Sequence, residues 1–312
     1  MICSRSVLYI IHNEVVIDNF IDFLRRENIE FNLTEDVSEK SYIKIGATVK
    51  TVTPKNKNEL VLVLSNLCKR ELQFKVIGKL TNLLITGRFD GFVIKTDKIN
   101  TYFRAENKIY AECGARFMSV CQYARQNSMG GFEELMAIPG SVGGMIFSNA
   151  GAYGKVISDI TYSYEIYDTE TDKILTLYKD EMSFSYRDSI LKHRPYILLS
   201  CIFVLPVSEP ERVTAMLEYY RQKRIESQPY GMCSLGSVFK RPPGYFAGEL
   251  IEKADLKGYR VGGAEVSSKH AGFIVNTGNA TAEDFISLKD YIKKCVFERF
   301  GVLLEEEIEI LT

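Results

Sequence analysis

The amino-acid sequence predicts an α+β protein, because helical and strand-like patterns alternate early in the chain and paired strands follow later. Apolar residues recur at helical spacing over residues 59–70, and this segment lies between strand-like runs at 49–52 and 74–77. Residues 162–167 and 173–177 instead alternate between apolar and polar side chains around a polar turn. The first pattern predicts a βαβ-like unit, and the second predicts two antiparallel strands.

The rest of the chain also predicts a mixture of helices and strands. The first forty residues combine a strand-like apolar run, Val7–Ile11, with an amphipathic helix at about Asp18–Glu27. Thr281 and Asp284 form a helix-capping pattern, and Gly301 is a natural helix stop. The remaining predicted elements are strands at 92–95, 109–113, 196–205 and 308–311, and helices at 116–127 and 211–226.

Three domains are predicted from these elements. The prolines at 206 and 210 break the chain before a long helix, so one boundary is expected there. We expect domains at residues 1–98, 99–206 and 207–312, with the last strand packing back on the first two domains.

The composition excludes several classes of function. The 312 residues carry a formal net charge of −1 with acidic and basic residues well mixed, so no basic patch for nucleic acid is expected. No apolar run approaches the roughly 20 residues of a membrane-spanning helix. Polar residues soon follow the short apolar run near the start, which argues against a signal peptide. We therefore expect a cytoplasmic protein without nucleic-acid or membrane partners.

The cysteines and histidines predict neither a metal site nor a disulfide framework. The seven cysteines are scattered without a CxxC pair, and His12, His193 and His270 lack metal-ligand spacing. Most cysteines have apolar neighbours, which is typical of reduced core thiols.

Gly78-Lys79 is an incomplete phosphate motif. A P-loop needs a glycine where Gln73 stands and a serine or threonine where Leu80 stands. No G-x-G-x-x-G pattern follows a strand either, which disfavours a Rossmann fold.

Residues 128–154 are rich in glycine and show little regular periodicity. Glycine allows sharp turns and close approach of the backbone to a ligand, and free N–H groups at such turns bind polar or anionic ligand edges. The same composition is equally compatible with a loop that needs unusual backbone angles and binds nothing. Composition alone leaves both interpretations open.

Several motifs, in the right order, resemble one enzyme family. The segment Pro139-Gly140-Ser141-Val142-Gly143-Gly144 continues to Asn149-Ala150-Gly151-Ala152-Tyr153-Gly154, and the blocks Tyr186-Arg187-Asp188-Ser189, Gly236-Ser237-Val238-Phe239-Lys240, Ser267-Ser268-Lys269-His270-Ala271 and the ending through Glu307-Ile308 follow. From about Ile43 to Leu311 the chain resembles the UDP-N-acetylenolpyruvoylglucosamine reductases.

The resemblance implies a fold and an activity. It implies a two-part FAD-binding module of the vanillyl-alcohol-oxidase type with a C-terminal α+β substrate domain. It also implies noncovalent FAD, NADPH as electron donor, and a UDP-sugar substrate reduced during peptidoglycan precursor synthesis. We expect a monomer. No long insert separates Arg187 from Tyr196, so the chain resembles the shorter branch of the family, which lacks a tyrosine-bearing loop.

The resemblance also implies roles for three residues. Arg187 stabilises the enolate-like state that forms when hydride adds to the enolpyruvyl group. Ser237 donates the proton to the neighbouring carbon. Glu307 assists the enol species, and burial is expected to raise its pKa so that it is protonated.

The predicted binding residues form two sets. The cofactor set consists of Gly78, Lys79, Thr81, Asn82, Leu83, Pro139, Gly140, Ser141, Gly143, Gly144, Asn149, Ala150, Gly151, Ala152 and Tyr153. The substrate set consists of Tyr186, Lys240, Arg241, Arg260, Lys269 and His270.

One loop departs from the family pattern. Where the family reads Gly-Gly-Gly-Ser-Asn-Leu-Leu, this chain has Lys79 and Leu80 in place of two glycines. Backbone binding of a pyrophosphate then requires both side chains to point away, unless Lys79 adds a charge contact. The departure leaves two alternatives: another FAD oxidoreductase of this fold, or a non-catalytic sugar-nucleotide-binding relative. The intact Arg187 and Ser237 blocks argue against the second.

Overall fold

A computed structural model of the chain describes residues 3–87 and 89–312, with side chains described from residue 14 onward. The first unit is a four-stranded sheet with helices on one side. Strands β2, β5 and β3 are parallel and β1 is antiparallel at the edge, in the order β1-β2-β5-β3. Its elements are α1 (Cys3–Arg26), β1 (Glu30–Asp36), β2 (Thr48–Thr53), α2 (Lys57–Lys69), β3 (Phe74–Ile77), β4 (Leu83–Ile85) and β5 (Phe92–Lys95).

The predicted βαβ-like unit is confirmed. The prediction for the first forty residues, a strand-like run followed by a helix, is partly wrong. Helix α2 begins at its N-cap Asn56, whose side chain accepts the Glu59 N–H, and its apolar stripe is buried. Val7–Ile11, however, belongs to α1 and is not a strand. A short apolar run fits either structure, and the continuous helix resolves that ambiguity.

The second unit is an antiparallel sheet of order β11-β10-β12-β7-β6. The predicted pair of alternating strands is β10 and β11, which are in continuous register from Ser163↔Tyr178 to Asp168↔Lys173. The elements are β6 (Tyr102–Ala105), β7 (Lys108–Glu112), α3 (Phe117–Gln126), α4 (Val142–Phe147), β8 (Gly151–Ala152), β9 (Lys155–Val156), β10 (Thr161–Asp168), β11 (Lys173–Tyr178), β12 (Tyr196–Val204) and α5 (Pro210–Ser227).

Helix α4 was not expected from the sequence. It lies inside the glycine-rich segment, and its Gly143 and Gly144 are poor helix formers. Its N-terminus is nevertheless fixed by the Ser141 side chain, which accepts the Gly144 N–H. Val142, Met145 and Ile146 are buried, so tertiary packing outweighs the weak local propensity.

The third unit is an antiparallel sheet of order β13-β16-β15-β14 beside two helices. The predicted capping pattern at Thr281 and Asp284 is present, and Gly301 ends the last helix with a φ of 68°. The elements are β13 (Cys233–Ser237), α6 (Ala247–Lys253), β14 (Arg260–Val261), β15 (Ala264–Val266), β16 (Phe273–Asn276), α7 (Ala282–Phe300) and β17 (Glu309–Leu311).

Two contacts join the third unit to the first. Strand β17 pairs in parallel with β4, from Glu309↔Leu83 to Leu311↔Ile85. The core of the third unit also includes Ile43, Ile45 and Leu84 of the first unit. The first two units share another core, which reaches Val213 of α5. These contacts bring the chain's C-terminal segment next to the loop before β4.

Within the described part of the chain, no helix combines the length and apolar character that crossing a membrane requires. The same residues contain no cluster of three or more His, Cys, Asp or Glu side chains able to hold a metal ion.

Candidate functional site

Arg187 and Glu307 form an ion pair where the second unit meets the segment before β17. Arg187 Nε donates to Glu307 Oε1 at 2.6 Å, and Arg187 Nη2 donates to the Gly151 carbonyl at 3.0 Å. Both side chains are only about one-fifth exposed, at 20% and 18%. The structure therefore brings together two of the three predicted catalytic residues.

The backbone of Arg187 is strained. Arg187 has a φ of 58°, in the left-handed region that non-glycine residues rarely adopt. It lies in a tight turn in which Ser185 and Asp188 exchange backbone hydrogen bonds at 3.2 and 3.3 Å. Strain of this kind persists only where surrounding contacts determine the conformation, and it concentrates at functional sites.

The environment of Glu307 shifts its pKa upward. Burial raises the pKa of Glu307 above its ordinary value, and the neighbouring Arg187 opposes this shift without cancelling it. The direction agrees with the sequence-based prediction.

Ser237 lies one residue from the backbone contact that positions Glu307. The Glu307 N–H donates to the Val238 carbonyl at 2.8 Å, and Ser237 is the last residue of β13. Its hydroxyl has no hydrogen-bond partner among the residues that the structure describes. It is half-buried, and its proton is not committed to another group.

Asn82 connects this catalytic group to the loop that departs from the family pattern. Its side-chain amide donates to the Glu307 carbonyl at 3.1 Å, and its own carbonyl accepts the Glu309 N–H at 2.9 Å. Asn82 is the last residue of this loop, residues 78–82. The loop is half-buried apart from Leu80, which is buried.

The backbone of this loop is available to a ligand. Among the described residues, no acceptor contacts the N–H groups of residues 79–82. Leu80 has a φ of 50°, and a left-handed residue in such a run turns successive N–H groups toward one side, a geometry that binds anions. Lys79 points elsewhere, since its Nζ lies 2.5 Å from Asp97 Oδ1. The side chains of Lys79 and Leu80 therefore leave the backbone N–H groups of the loop free, which the sequence analysis required for backbone binding of a pyrophosphate.

The glycine-rich segment meets this loop directly. A Cβ on Gly78 would lie 2.2 Å from Ser141 Oγ, and one on Gly140 would lie 3.6 Å from Thr81 Oγ1. Gly78 is therefore needed for close contact between the two segments. Pro139, Gly140 and Ser141 precede α4, Gly143 and Gly144 lie in it, and Asn149, Ala150, Gly151, Ala152 and Tyr153 lie in and around β8.

Several N–H groups of this second segment are already used inside the protein. The Val142 N–H donates to Ala115 at 2.9 Å and the Gly143 N–H to Cys113 at 2.7 Å. A Cβ on Gly143 would lie 3.1 Å from the Cys113 carbonyl oxygen. Gly143 thus serves close packing of α4 against the end of β7.

Comparison with known proteins decides the family. The family model described as "UDP-N-acetylenolpyruvoylglucosamine reductase, C-terminal domain" matches residues 228–311, and the one described as "FAD binding domain" matches residues 49–178. UDP-N-acetylenolpyruvoylglucosamine reductase from Caldicellulosiruptor saccharolyticus is 42% identical over 292 residues, which cover 92% of this chain and 94% of that protein. The same enzyme from Oceanobacillus iheyensis is 39% identical and covers 93% and 95%, respectively.

The chain belongs to the UDP-N-acetylenolpyruvoylglucosamine reductase family. The crystal structure of UDP-N-acetylenolpyruvylglucosamine reductase from Thermus caldophilus superposes with a TM-score of 0.77 at 27% identity, covering 91% of this chain and 99% of that one. These matches confirm the α+β fold with an FAD-binding module and a C-terminal domain. They also confirm an FAD-dependent oxidoreductase of peptidoglycan synthesis.

The residues present fit FAD on two observations. The first is the free backbone of residues 79–82, described above. The second is Arg224 on α5, whose Nη1 is buried without a hydrogen-bond partner among the described residues. Burial lowers the pKa of Arg224, and the nearby Tyr153 and Tyr230 only partly oppose this. A buried guanidinium nitrogen without an acceptor is costly unless a bound group supplies one.

Arg224 was missed by the sequence reasoning. It lies near Tyr153, one of the predicted cofactor-binding residues. Tyr153 has a φ of 53°, and its ring is 5.0 Å from that of Tyr220 on α5. Helix α5 thus brings Arg224 to the family's glycine-rich segment from about 70 residues away in sequence. No local motif marks such a contact.

The predicted substrate residues separate into two groups. Tyr186 and Arg241 lie together, since the Arg241 N–H donates to the Tyr186 hydroxyl at 3.2 Å, and Lys240 pairs with Glu305 at 3.4 Å. The other three are engaged within the third unit or with α5. Arg260 pairs with Glu265, Lys269 donates to the Ile225 carbonyl, and His270 Nδ1 accepts the Gly272 N–H. Tyr186, Lys240 and Arg241 therefore lie close to the predicted catalytic residues. Tyr186 adjoins Arg187 in the chain, and the other two follow shortly after Ser237.

Proposed function

We propose that the protein reduces the enolpyruvyl group of UDP-N-acetylglucosamine enolpyruvate to give UDP-N-acetylmuramate, with NADPH as electron donor and FAD as carrier. The observation that carries the proposal is the buried Arg187–Glu307 pair beside the unpaired hydroxyl of Ser237. Bound FAD supplies the hydride transfer to the enolpyruvyl double bond.

Arg187 is suited to hold the substrate carboxylate. Its Nε and Nη2 are occupied by Glu307 and Gly151, while Nη1 has no acceptor among the described residues. A guanidinium fixed on two sides presents its remaining edge without reorganisation. The charge that develops toward the carboxylate is therefore stabilised by a cation whose direction is already set.

Ser237 and Glu307 divide the proton chemistry. Ser237 donates its hydroxyl proton to the carbon next to the carboxylate, and its half-buried position excludes much of the competing water. Glu307, whose pKa burial raises, donates a hydrogen bond to the enol form in its protonated state. In this role it stabilises a substrate that an ionised carboxylate would repel.

Tyr186, Lys240 and Arg241 form the proposed entrance for the UDP moiety. Arg241 lies 4.4 Å over the Phe246 ring, and both residues are largely exposed. Cations near aromatic rings are suited to bind a diphosphate and a pyrimidine ring together. Arg260, Lys269 and His270 remain proposed substrate residues, although their polar groups have partners inside the protein.

The decisive experiment follows the two half-reactions of Ser237→Ala. NADPH should still reduce the flavin at the wild-type rate, whereas reduction of the UDP-sugar should fall by about 10²–10⁴-fold, the usual contribution of a general acid. Anaerobic stopped-flow absorbance at the flavin band measures both steps. Ser234→Ala, the same change on the same strand, is the control and should leave both rates unchanged.

The outcomes also separate the alternatives. Wild-type turnover by Ser237→Ala would refute its role as proton donor. A yellow wild-type protein whose NADPH oxidation ignores the UDP-sugar would indicate another FAD oxidoreductase. A colourless protein that cannot be reconstituted with FAD would favour a non-catalytic sugar-nucleotide-binding relative. We further propose that the enzyme works as a monomer in the cytoplasm, which sedimentation and cell fractionation test.

A further inference from the structure

Lys192 lies directly behind the catalytic arginine and has no assigned role. It ends the 3-10 turn Ile190–Lys192 and is half-buried. Its Nζ donates to the Arg187 carbonyl at 3.0 Å and lies 5.2 Å from the Phe147 ring centroid. No carboxylate lies within ion-pair distance of Lys192 among the described residues. The ammonium is thus committed to one backbone carbonyl and one ring face.

The carbonyl that Lys192 holds belongs to the strained residue. A left-handed conformation is unfavourable for a non-glycine residue, so the Arg187 backbone relaxes unless it is anchored. The turn is anchored at its two ends, because Asn149 donates to the Ser185 carbonyl at 2.9 Å and Ser189 donates to the Phe147 carbonyl at 2.8 Å. Among the described residues, Lys192 is the side chain that anchors the peptide following Arg187 itself.

We propose that Lys192 is a positioning residue for the reduction of the UDP-sugar: by holding the Arg187 carbonyl it fixes the left-handed turn that aims the guanidinium at Glu307 and the substrate carboxylate. This inference rests on the proposed function. Among the described residues Lys192 donates to the Arg187 carbonyl and contacts neither Glu307 nor Ser237, so it is not a catalytic residue. A displacement of about 1 Å at a catalytic group is enough to lower a rate about 100-fold.

The charge of Lys192 has a second effect on the same site. Acidic groups near it are Asp188 in its own turn and Glu307 and Glu309 in the C-terminal segment, and cationic groups are Arg187, Lys240 and, over the same Phe147 ring, Lys75. Burial lowers the pKa of Lys192. The Lys192 cation in turn lowers the pKa of Glu307, against the larger effect of burial. Removing that cation therefore raises the pKa of Glu307 further.

The test compares Lys192→Met with Lys192→Arg and a matched control. Lys75→Met is the control, because Lys75 also lies over the Phe147 ring, at 5.6 Å, but pairs with Glu309 and makes no contact with Arg187. In the FAD-loaded proteins, Lys192→Met should slow reduction of the UDP-sugar about 100-fold while NADPH reduces the flavin at the wild-type rate. Lys192→Arg should recover most of this loss, and Lys75→Met should change neither rate.

The pH profile provides a readout that a purely structural role would not move. In Lys192→Met the limb of the UDP-sugar reduction profile that reports Glu307 should shift to higher pH, since the pKa of Glu307 rises. Lys192→Arg keeps the charge and should leave that limb in place. If the methionine variant does not fold, Lys192→Gln retains a donor without the charge and should show the same shift with a smaller loss of rate.

The results distinguish this inference from the function on which it rests. If the wild-type protein does not reduce the UDP-sugar, the proposed function fails. If the wild-type protein reduces it and a folded Lys192→Met or Lys192→Gln variant does so at an equal rate, the positioning role alone is overturned. Equal slowing of both half-reactions would also overturn it, because that result indicates general damage to the flavin module.

Discussion

The two glycine-bearing loops that are predicted to bind the flavin differ in how their backbone N–H groups are used. The segment from Pro139 to Gly154 matches the family pattern closely, yet Val142 and Gly143 donate their N–H groups inside the protein. The loop at residues 78–82 departs from the pattern, yet the N–H groups of residues 79–82 remain free among the described residues. A glycine motif therefore does not by itself locate the ligand-binding backbone, because glycine serves packing as well as binding.

The difference has a physical origin in what surrounds each loop. The segment from Pro139 to Gly154 needs glycine at position 143, because a Cβ there would lie 3.1 Å from the Cys113 carbonyl oxygen. In the other loop, Leu80 adopts the left-handed backbone that glycine would normally supply, and its side chain is only 6% exposed. Burial of the leucine offsets the backbone strain, so the loop keeps its shape without glycine.

The largest expected effect is at Leu80. Leu80→Ala should lower the free energy of unfolding by about 2–5 kcal/mol, because it removes a buried side chain. Leu80→Gly removes even more of that side chain, but it relieves the left-handed strain and should be about 1 kcal/mol more stable than the alanine variant. Urea denaturation of the FAD-free wild-type protein and the two variants measures the order of their free energies of unfolding. An alanine variant more stable than the glycine variant would contradict the offset described above.

An intermediate effect is expected in α4. Gly143→Ala should cost about 1–3 kcal/mol, since the added methyl group crowds the end of β7. Gly144→Ala is the matched control one residue later, where a Cβ would meet only Ser141 Oγ at 3.5 Å. It should be neutral or stabilising by up to about 1 kcal/mol, because alanine favours helix. Equal losses in thermal unfolding for the two variants would show that packing does not explain the glycine at 143.

The smallest effect is expected at Lys79. Its pair with Asp97 is partly exposed, with side chains 22% and 39% accessible, so Lys79→Ala should change stability by less than about 1 kcal/mol. If the lysine points away from the cofactor, FAD affinity should change by less than about fivefold. Asp97→Asn, which breaks the same pair from the other side, is the control. A loss of FAD affinity that is specific to Lys79→Ala and deepens at low salt would instead place the lysine on the pyrophosphate.

The sequence predicted the regular elements well where periodicity is local. Strands β10 and β11 pair in continuous register as predicted, and the last helix carries its own start and stop signals. Helix α4 could not be predicted because its stability comes from burial of Met145 and Ile146 rather than from helix propensity. The start of α1 was missed because a short apolar run does not distinguish strand from helix.

The candidate site shows the same division between local and distant information. Residues 305–307 are three consecutive glutamates, which the sequence alone does not distinguish. The fold gives each of them a different environment. Glu305 is exposed near Lys240, whereas Glu306 contacts Lys289 and Lys293, which overcome its burial and lower its pKa to about 2. Glu307 alone reaches Arg187, from which it is separated by 120 residues. Only the family resemblance selected it from the sequence, and that selection stays a prediction until the variants are measured.

The pairing of β17 with β4 has a consequence for how the protein is made. Residues 309–311 join residues 83–85, so synthesis of more than 220 intervening residues must precede this contact. Until then the edge of β4 has no partner strand, and the loop of residues 78–82 lacks the bond between Asn82 and Glu309. Contacts so distant in sequence form slowly. The order of translation therefore delays completion of the proposed cofactor loop until Glu307, the proposed catalytic glutamate, has emerged, so both proposed sites are completed at the same stage of synthesis.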